Sequence, residues 1–92
     1  MSATIKTVKE VLAHLRADPG MVDTLSDTAD LINDVSLDSL ELLQLMLEVE
    51  SRLAVRIDFE KLEYSDLNSI AVLANFLDSM PSNHISNAGG GS

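Results

Sequence analysis

Asp38-Ser39-Leu40-Glu41-Leu42-Leu43-Gln44-Leu45-Met46-Leu47-Glu48-Val49-Glu50-Ser51-Arg52-Leu53 reads as one helix from end to end. Asp38 followed three residues later by Glu41 has the form of a capping box, in which each side chain takes a backbone N–H of the other's end. The Leu, Met, Glu and Gln residues that follow are strong helix formers, and neither Gly nor Pro interrupts them. On a wheel of 100° per residue with Leu42 at zero, Leu45, Met46, Val49 and Leu53 fall within about 60° of it. That is a core face, and burying each such side chain stabilises by roughly 1.5–3 kcal/mol.

Leu40, Leu43 and Leu47 fall elsewhere on the wheel, between about 100° and 160°. A surface helix needs one apolar stripe, and this one carries two. Two destinations are open for the second. It could pack beneath the preceding loop, whose own apolar residues need partners. It could instead stay exposed as a landing surface for another protein, ringed by Asp38, Glu41, Glu48 and Glu50. The acidic ring favours the second.

Working outward, Ile5, Val8, Leu12 and Leu15 are spaced three and four apart and predict a first helix over 4–17, ended by Asp18-Pro19-Gly20. Residues 21–37 form a long connection. Met21, Val22, Leu25, Leu31, Ile32 and Val35 predict that it packs onto the body, with a turn of helix between Asp23 and Leu31. Beyond Ala54-Val55-Arg56-Ile57 a short helix is predicted near Phe59–Glu63. A last helix, capped by Asn68 or Ser69, runs to about Ser79 with Ile70, Leu73, Phe76 and Leu77 on one face, and Pro81 ends it. The expected fold is an all-α bundle of three or four helices over residues 1–80. Residues 81–92, finishing Gly-Gly-Gly-Ser, have the composition of a flexible tail or linker.

Ninety-two residues make one domain with a thin core. With one Tyr, two Phe and no Trp, that core is aliphatic. Fifteen acids against six bases give −9. Nucleic acid and anionic membranes are therefore poor partners, because phosphate contacts need Lys and Arg. From Asp18 to Glu50 every Asp, Glu, Lys or Arg is an acid, and a basic patch on another protein is the natural complement. There is no cysteine, hence no disulfide, no Cys-based metal site and no thiol nucleophile. No stretch reaches the ~18 apolar residues of a membrane span, and the first residues lack the basic segment and apolar run of a signal peptide. A cytoplasmic monomer is expected, and the Met1 start without an upstream linker favours a free-standing protein.

Ser39 is the candidate modification residue. A Ser at a helix start is ordinarily a cap, but Asp38 already fills that role, which leaves the Ser39 hydroxyl available. A helix N-terminus is also a favourable seat for a phosphate group. Val35-Ser36-Leu37-Asp38-Ser39-Leu40 resembles the modification signature of acyl and peptidyl (aminoacyl) carrier proteins, whose usual core is Asp-Ser-Leu. Leu53-Ala54-Val55-Arg56-Ile57-Asp58-Phe59 is similar to the hydrophobic-x-x-x-Ile segment that leads into that family's short helix. Ser69-Ile70 through Leu77 looks like its final helix, so the resemblance spans about 4–80.

The resemblance implies that a separate phosphopantetheinyl transferase esterifies Ser39 with the 4'-phosphopantetheine of coenzyme A. The arm's thiol would then hold acyl or aminoacyl cargo as a thioester, a function the cysteine-free chain has no thiol of its own to perform. It implies further partners: a loading ligase and downstream synthase or transferase enzymes of fatty-acid, polyketide or nonribosomal-peptide type. It implies partner contacts at Asp38, Leu40, Leu43, Leu47 and Glu50, and a place near the arm for Ile57. Two positions depart from the family pattern. Ser36 stands where Gly is common, and Arg56 where many members are acidic.

The alternative is an unmodified helical interaction module using the same acidic, Leu-rich helix. An enzyme is not expected, and no residue is assigned a catalytic or metal-binding role. The only histidines are His14, on the first helix, and His84, in the tail. Residues 23–34 lack the central Gly and closing Glu of a calcium loop.

Overall fold

The computed structural model describes residues 2–82; the later tail, with His84, lies outside them. Four α-helices and one 3-10 turn follow in order: α1 (Ala3–Leu15), α2 (Met21–Thr24), α3 (Ser39–Leu53), the 3-10 turn (Tyr64–Leu67) and α4 (Ile70–Asp78). Among the described residues there is no strand, only an isolated bridge between Val55 and Ser82. The architecture is a small all-α bundle of the acyl-carrier type.

α1 packs on both α3 and α4. Val8, Val11 and Leu12 of α1 meet Leu45, Met46 and Val49 of α3 and Ile70, Leu73 and Leu77 of α4 in one aliphatic core. Ser2 caps α1 by accepting the Ile5 N–H. At the other end α1 stops at Leu15, two residues before the expected 17. The Asp18 N–H reaches the Ala13 carbonyl and the Ala17 N–H the His14 carbonyl, with Ala17 left-handed at φ 52°. This is the paired bond pattern of a Schellman ending. The helix is thus closed by its own carbonyls before Pro19 and Gly20 come into play.

The 21–37 connection is packed down, as its apolar residues demand. Ala29, Leu31, Val35 and Leu37 are buried in the core. Its helical turn, α2, sits at 21–24, earlier than the 23–31 window. Its backbone also completes α4: the Ala29 carbonyl accepts the Ile70 N–H (3.0 Å) and the Asp27 carbonyl the Ala71 N–H (2.8 Å). Those first-turn amides have no intrahelical acceptor, so the loop supplies one. Asp27 also takes the ammonium of Lys9 (2.6 Å), a side chain otherwise sealed in the core. Asp30 folds the next turn by accepting the N–H groups of Ile32 and Asn33 (both 2.8 Å). These donors, Asn33 foremost, hold its carboxyl below the usual carboxylate range.

The short helix expected at 59–63 is not there. That stretch is a turn, tied by the Lys61 N–H to the Asp58 carbonyl, and the 3-10 turn follows at 64–67. Glu63 and Asp66 explain the shift, because each side chain accepts the other's backbone N–H and so starts the turn at Tyr64. Pro81 and Ser82, assigned by composition to the tail, belong to the body. The Pro81 carbonyl accepts the Arg56 N–H (2.9 Å) and Ser82 bridges to Val55.

Candidate functional site

The site is the start of α3. Asp38 lies in extended backbone as the N-cap, and its Oδ1 accepts the Glu41 N–H at 2.7 Å. Glu41 Oε1 accepts the Asp38 N–H at 3.2 Å, closing the box. Ser39 is the first helical residue and is exposed. Among the described residues its hydroxyl makes no hydrogen bond, so the oxygen is open to a modifying enzyme. Nor do the Ser39 and Leu40 amides find acceptors there, as follows for the first turn of any helix. Two outward N–H groups and the positive end of the helix dipole suit a phosphodiester on that oxygen. The residues present fit a phosphate-linked arm.

Behind Ser39 the chain is pinned. Val35 and Leu37 are buried, while Ser36 between them is exposed and left-handed at φ 62°. The Leu37 N–H donates to the Leu31 carbonyl (3.2 Å). Arg16, at the C-cap of α1, reaches across. Its Nη2 donates to the carbonyls of Val35 (2.8 Å) and Ser36 (3.1 Å) and to Glu41 Oε1 (3.2 Å). The sequence offered no local signal for this contact, since Arg16 and Glu41 lie 25 residues apart.

The two stripes of α3 separate as the wheel predicts. Leu45, Met46 and Val49 are sealed, with Leu42 and Leu53 half-buried against them. Leu40, Leu43 and Leu47 remain 63%, 47% and 52% exposed. The 21–37 loop does not cover them, and they lie on the helix that Ser39 opens. The other partner residues inferred from sequence are placed differently. Glu50 is half-buried, and its Oε2 accepts the Ile57 N–H at 2.8 Å. Ile57 itself belongs to the core at 5% exposure. The structure thus brings Asp38, Leu40, Leu43 and Leu47 together with Ser39 and sets Glu50 and Ile57 to work on each other. His14 is exposed on α1.

Among the described residues, no group of three or more His, Cys, Asp or Glu is gathered so as to hold a metal ion, and no helix is long and apolar enough to cross a membrane. A family model described as "phosphopantetheine attachment site" matches residues 5–77. No curated protein matches the chain. Carrier domains of this kind bear a 4'-phosphopantetheine prosthetic group, are generally non-catalytic, and work with phosphopantetheinyl transferases and synthase enzymes. With the match running from the first turns of α1 to the last turn of α4 and a helical bundle folded around an open Asp-Ser-Leu, the chain belongs to the phosphopantetheine-attachment family of acyl and peptidyl carrier proteins.

Proposed function

We propose that this protein carries acyl or aminoacyl groups as thioesters on a 4'-phosphopantetheine arm esterified to Ser39, and that it performs no catalysis itself. The observation that carries the reading is the Ser39 hydroxyl: exposed, unbonded, and relieved of capping by Asp38. In the transfer, the bond from Ser39 Oγ to phosphorus forms as the pyrophosphate link of coenzyme A breaks, adenosine 3',5'-bisphosphate leaves, and the transferase takes the hydroxyl proton. Once attached, the arm supplies the thiol on which cargo is held. Asp38 and Glu41 keep the helix start rigid beneath the ester.

The exposed Leu40, Leu43 and Leu47 with the acids beside them support the second half of the proposal. Partner enzymes (the transferase, a loading ligase, a downstream synthase or transferase) dock there with a basic rim around an apolar seat. The protein works as a cytoplasmic monomer.

Incubation with coenzyme A and a broad-range phosphopantetheinyl transferase, followed by intact-protein mass spectrometry, tests this directly. One phosphopantetheine per chain is expected for the native protein and none for Ser39→Ala. No adduct on the native chain, or an adduct that survives Ser39→Ala, would reject the assignment.

A further inference from the structure

We infer that Arg16 is a positioning residue for the modification of Ser39, holding the turn over residues 35–38 in the shape that brings Ser39 onto the first turn of α3 with its oxygen outward. The inference rests on the Ser39 reading and adds to it a group on another helix.

The turn needs something to hold it. Ser36 is left-handed at φ 62°, a conformation that its Cβ disfavours and that glycine adopts without penalty. Among the described residues the Ser36 hydroxyl makes no hydrogen bond, so its own side chain does not compensate. The neighbours on each side, Val35 and Leu37, are fixed in the core, and the strain is therefore confined to one residue between two anchors. The Val35 and Ser36 carbonyls point at one nitrogen, Arg16 Nη2, at 2.8 and 3.1 Å. Without a cation there, two neighbouring carbonyl oxygens would converge on one space with like partial charges together. Rotation of Ser36 back to an ordinary backbone angle would relieve both the strain and the repulsion.

The same nitrogen also touches the capping box. Glu41 Oε1 accepts from Arg16 Nη2 and from the Asp38 N–H, each at 3.2 Å. One guanidinium therefore ties the loop before Ser39 to the carboxylate after it. The three acceptors share the two N–H groups of that one nitrogen, and the permanent charge of the guanidinium serves all of them. Its place is fixed in turn, because Arg16 is the C-cap residue where the Ala17–Asp18 bonds close α1. Release of the clamp leaves α3 intact but lets its first residue wander. Misplacing a nucleophilic oxygen by about 1 Å can cost a reaction up to about 100-fold.

The test is a set of variants: Arg16→Ala, Arg16→Lys, Ser36→Gly, and Ser36→Gly combined with Arg16→Ala. Each is assayed for phosphopantetheine transfer from coenzyme A by time-resolved intact mass. The temperature is set below every variant's melting transition, and carrier concentration is varied to separate kcat from KM. For Arg16→Ala we expect kcat to fall about tenfold, with KM unchanged or lower because the surface has become more acidic for a basic partner. Arg16→Lys should retain an intermediate rate. Ser36→Gly alone should change little, and in the Arg16→Ala background it should restore most of the lost kcat, because glycine holds the turn without help.

Native chain modified, with every Arg16 variant at the native kcat, overturns the inference and leaves the Ser39 assignment standing. So does a loss in Arg16→Ala that Ser36→Gly fails to restore, or a loss seen only in KM. A native chain that takes no arm removes the Ser39 assignment and the inference together.

Discussion

Leu45 and Leu47 stand two residues apart on α3 and have opposite fates. Leu45 is wholly enclosed in the core that α3 shares with α1, while Leu47 is half in solvent alongside Leu43 and Leu40. The residue type is the same and so is the helix, so the difference lies only in which way each side chain leaves the axis. One leucine face holds the bundle together. The other contributes little to stability, since its apolar surface is not removed from water, and it is worth carrying only if something else covers it.

The sharpest way to break that contrast is to truncate one leucine on each face. Leu45→Ala should destabilise by about 2–5 kcal/mol, because it opens a cavity in a close-packed core. Leu43→Ala should stay within about 0.5 kcal/mol of the parent by urea denaturation, yet slow arm transfer or cargo exchange with a partner enzyme. If Leu43→Ala melts like Leu45→Ala, or leaves every partner rate untouched, the two faces are not divided in this way.

Glu50 sharpens the comparison at the far end of α3, where an acid of the partner set is engaged within the protein. Its carboxylate holds the Ile57 N–H as the chain leaves the left-handed Ala54. Glu50→Ala should cost about 1–2 kcal/mol, since it orphans a donor at the core's edge. Glu50→Gln keeps an acceptor oxygen and should retain most of that stability in thermal melts. Equal stability of all three proteins would show that this bond contributes nothing to the fold.

The smallest effect lies in the loop, at Asp30. Its folded carboxyl lies below the ordinary value of 3.8, so its contribution to stability is present above that value and disappears as pH falls through the lower folded one. Melting of Asp30→Asn and the parent should therefore differ most near neutral pH. The gap should close as pH drops below about 3.8. A gap that widens in acid would contradict the turn's electrostatics.

Much of the site was legible because its determinants are local. A capping box, a helix-forming run and a period of 3.6 are written within sixteen consecutive positions, and α3 indeed runs from Ser39 to Leu53. The final helix was legible for the same reason, with Ser69 capping it by accepting the Val72 N–H. The short helix near 60 was misplaced because Glu63 and Asp66 form an acid-to-acid box. That pattern is present in the sequence but competes with an equally turn-prone Asp58 a few residues earlier.

By itself the sequence determined the Asp-Ser-Leu start of α3, the helix that follows, the two leucine stripes and the aliphatic core. All of these follow from neighbours within one or two helical turns. Tertiary structure alone decided that the 21–37 loop leaves the second stripe uncovered, that Glu50 holds Ile57, and that Arg16 reaches the turn beside Ser39. Those outcomes depend on where separate elements come to rest against one another. No local propensity encodes that, because it is set by how the whole aliphatic core packs.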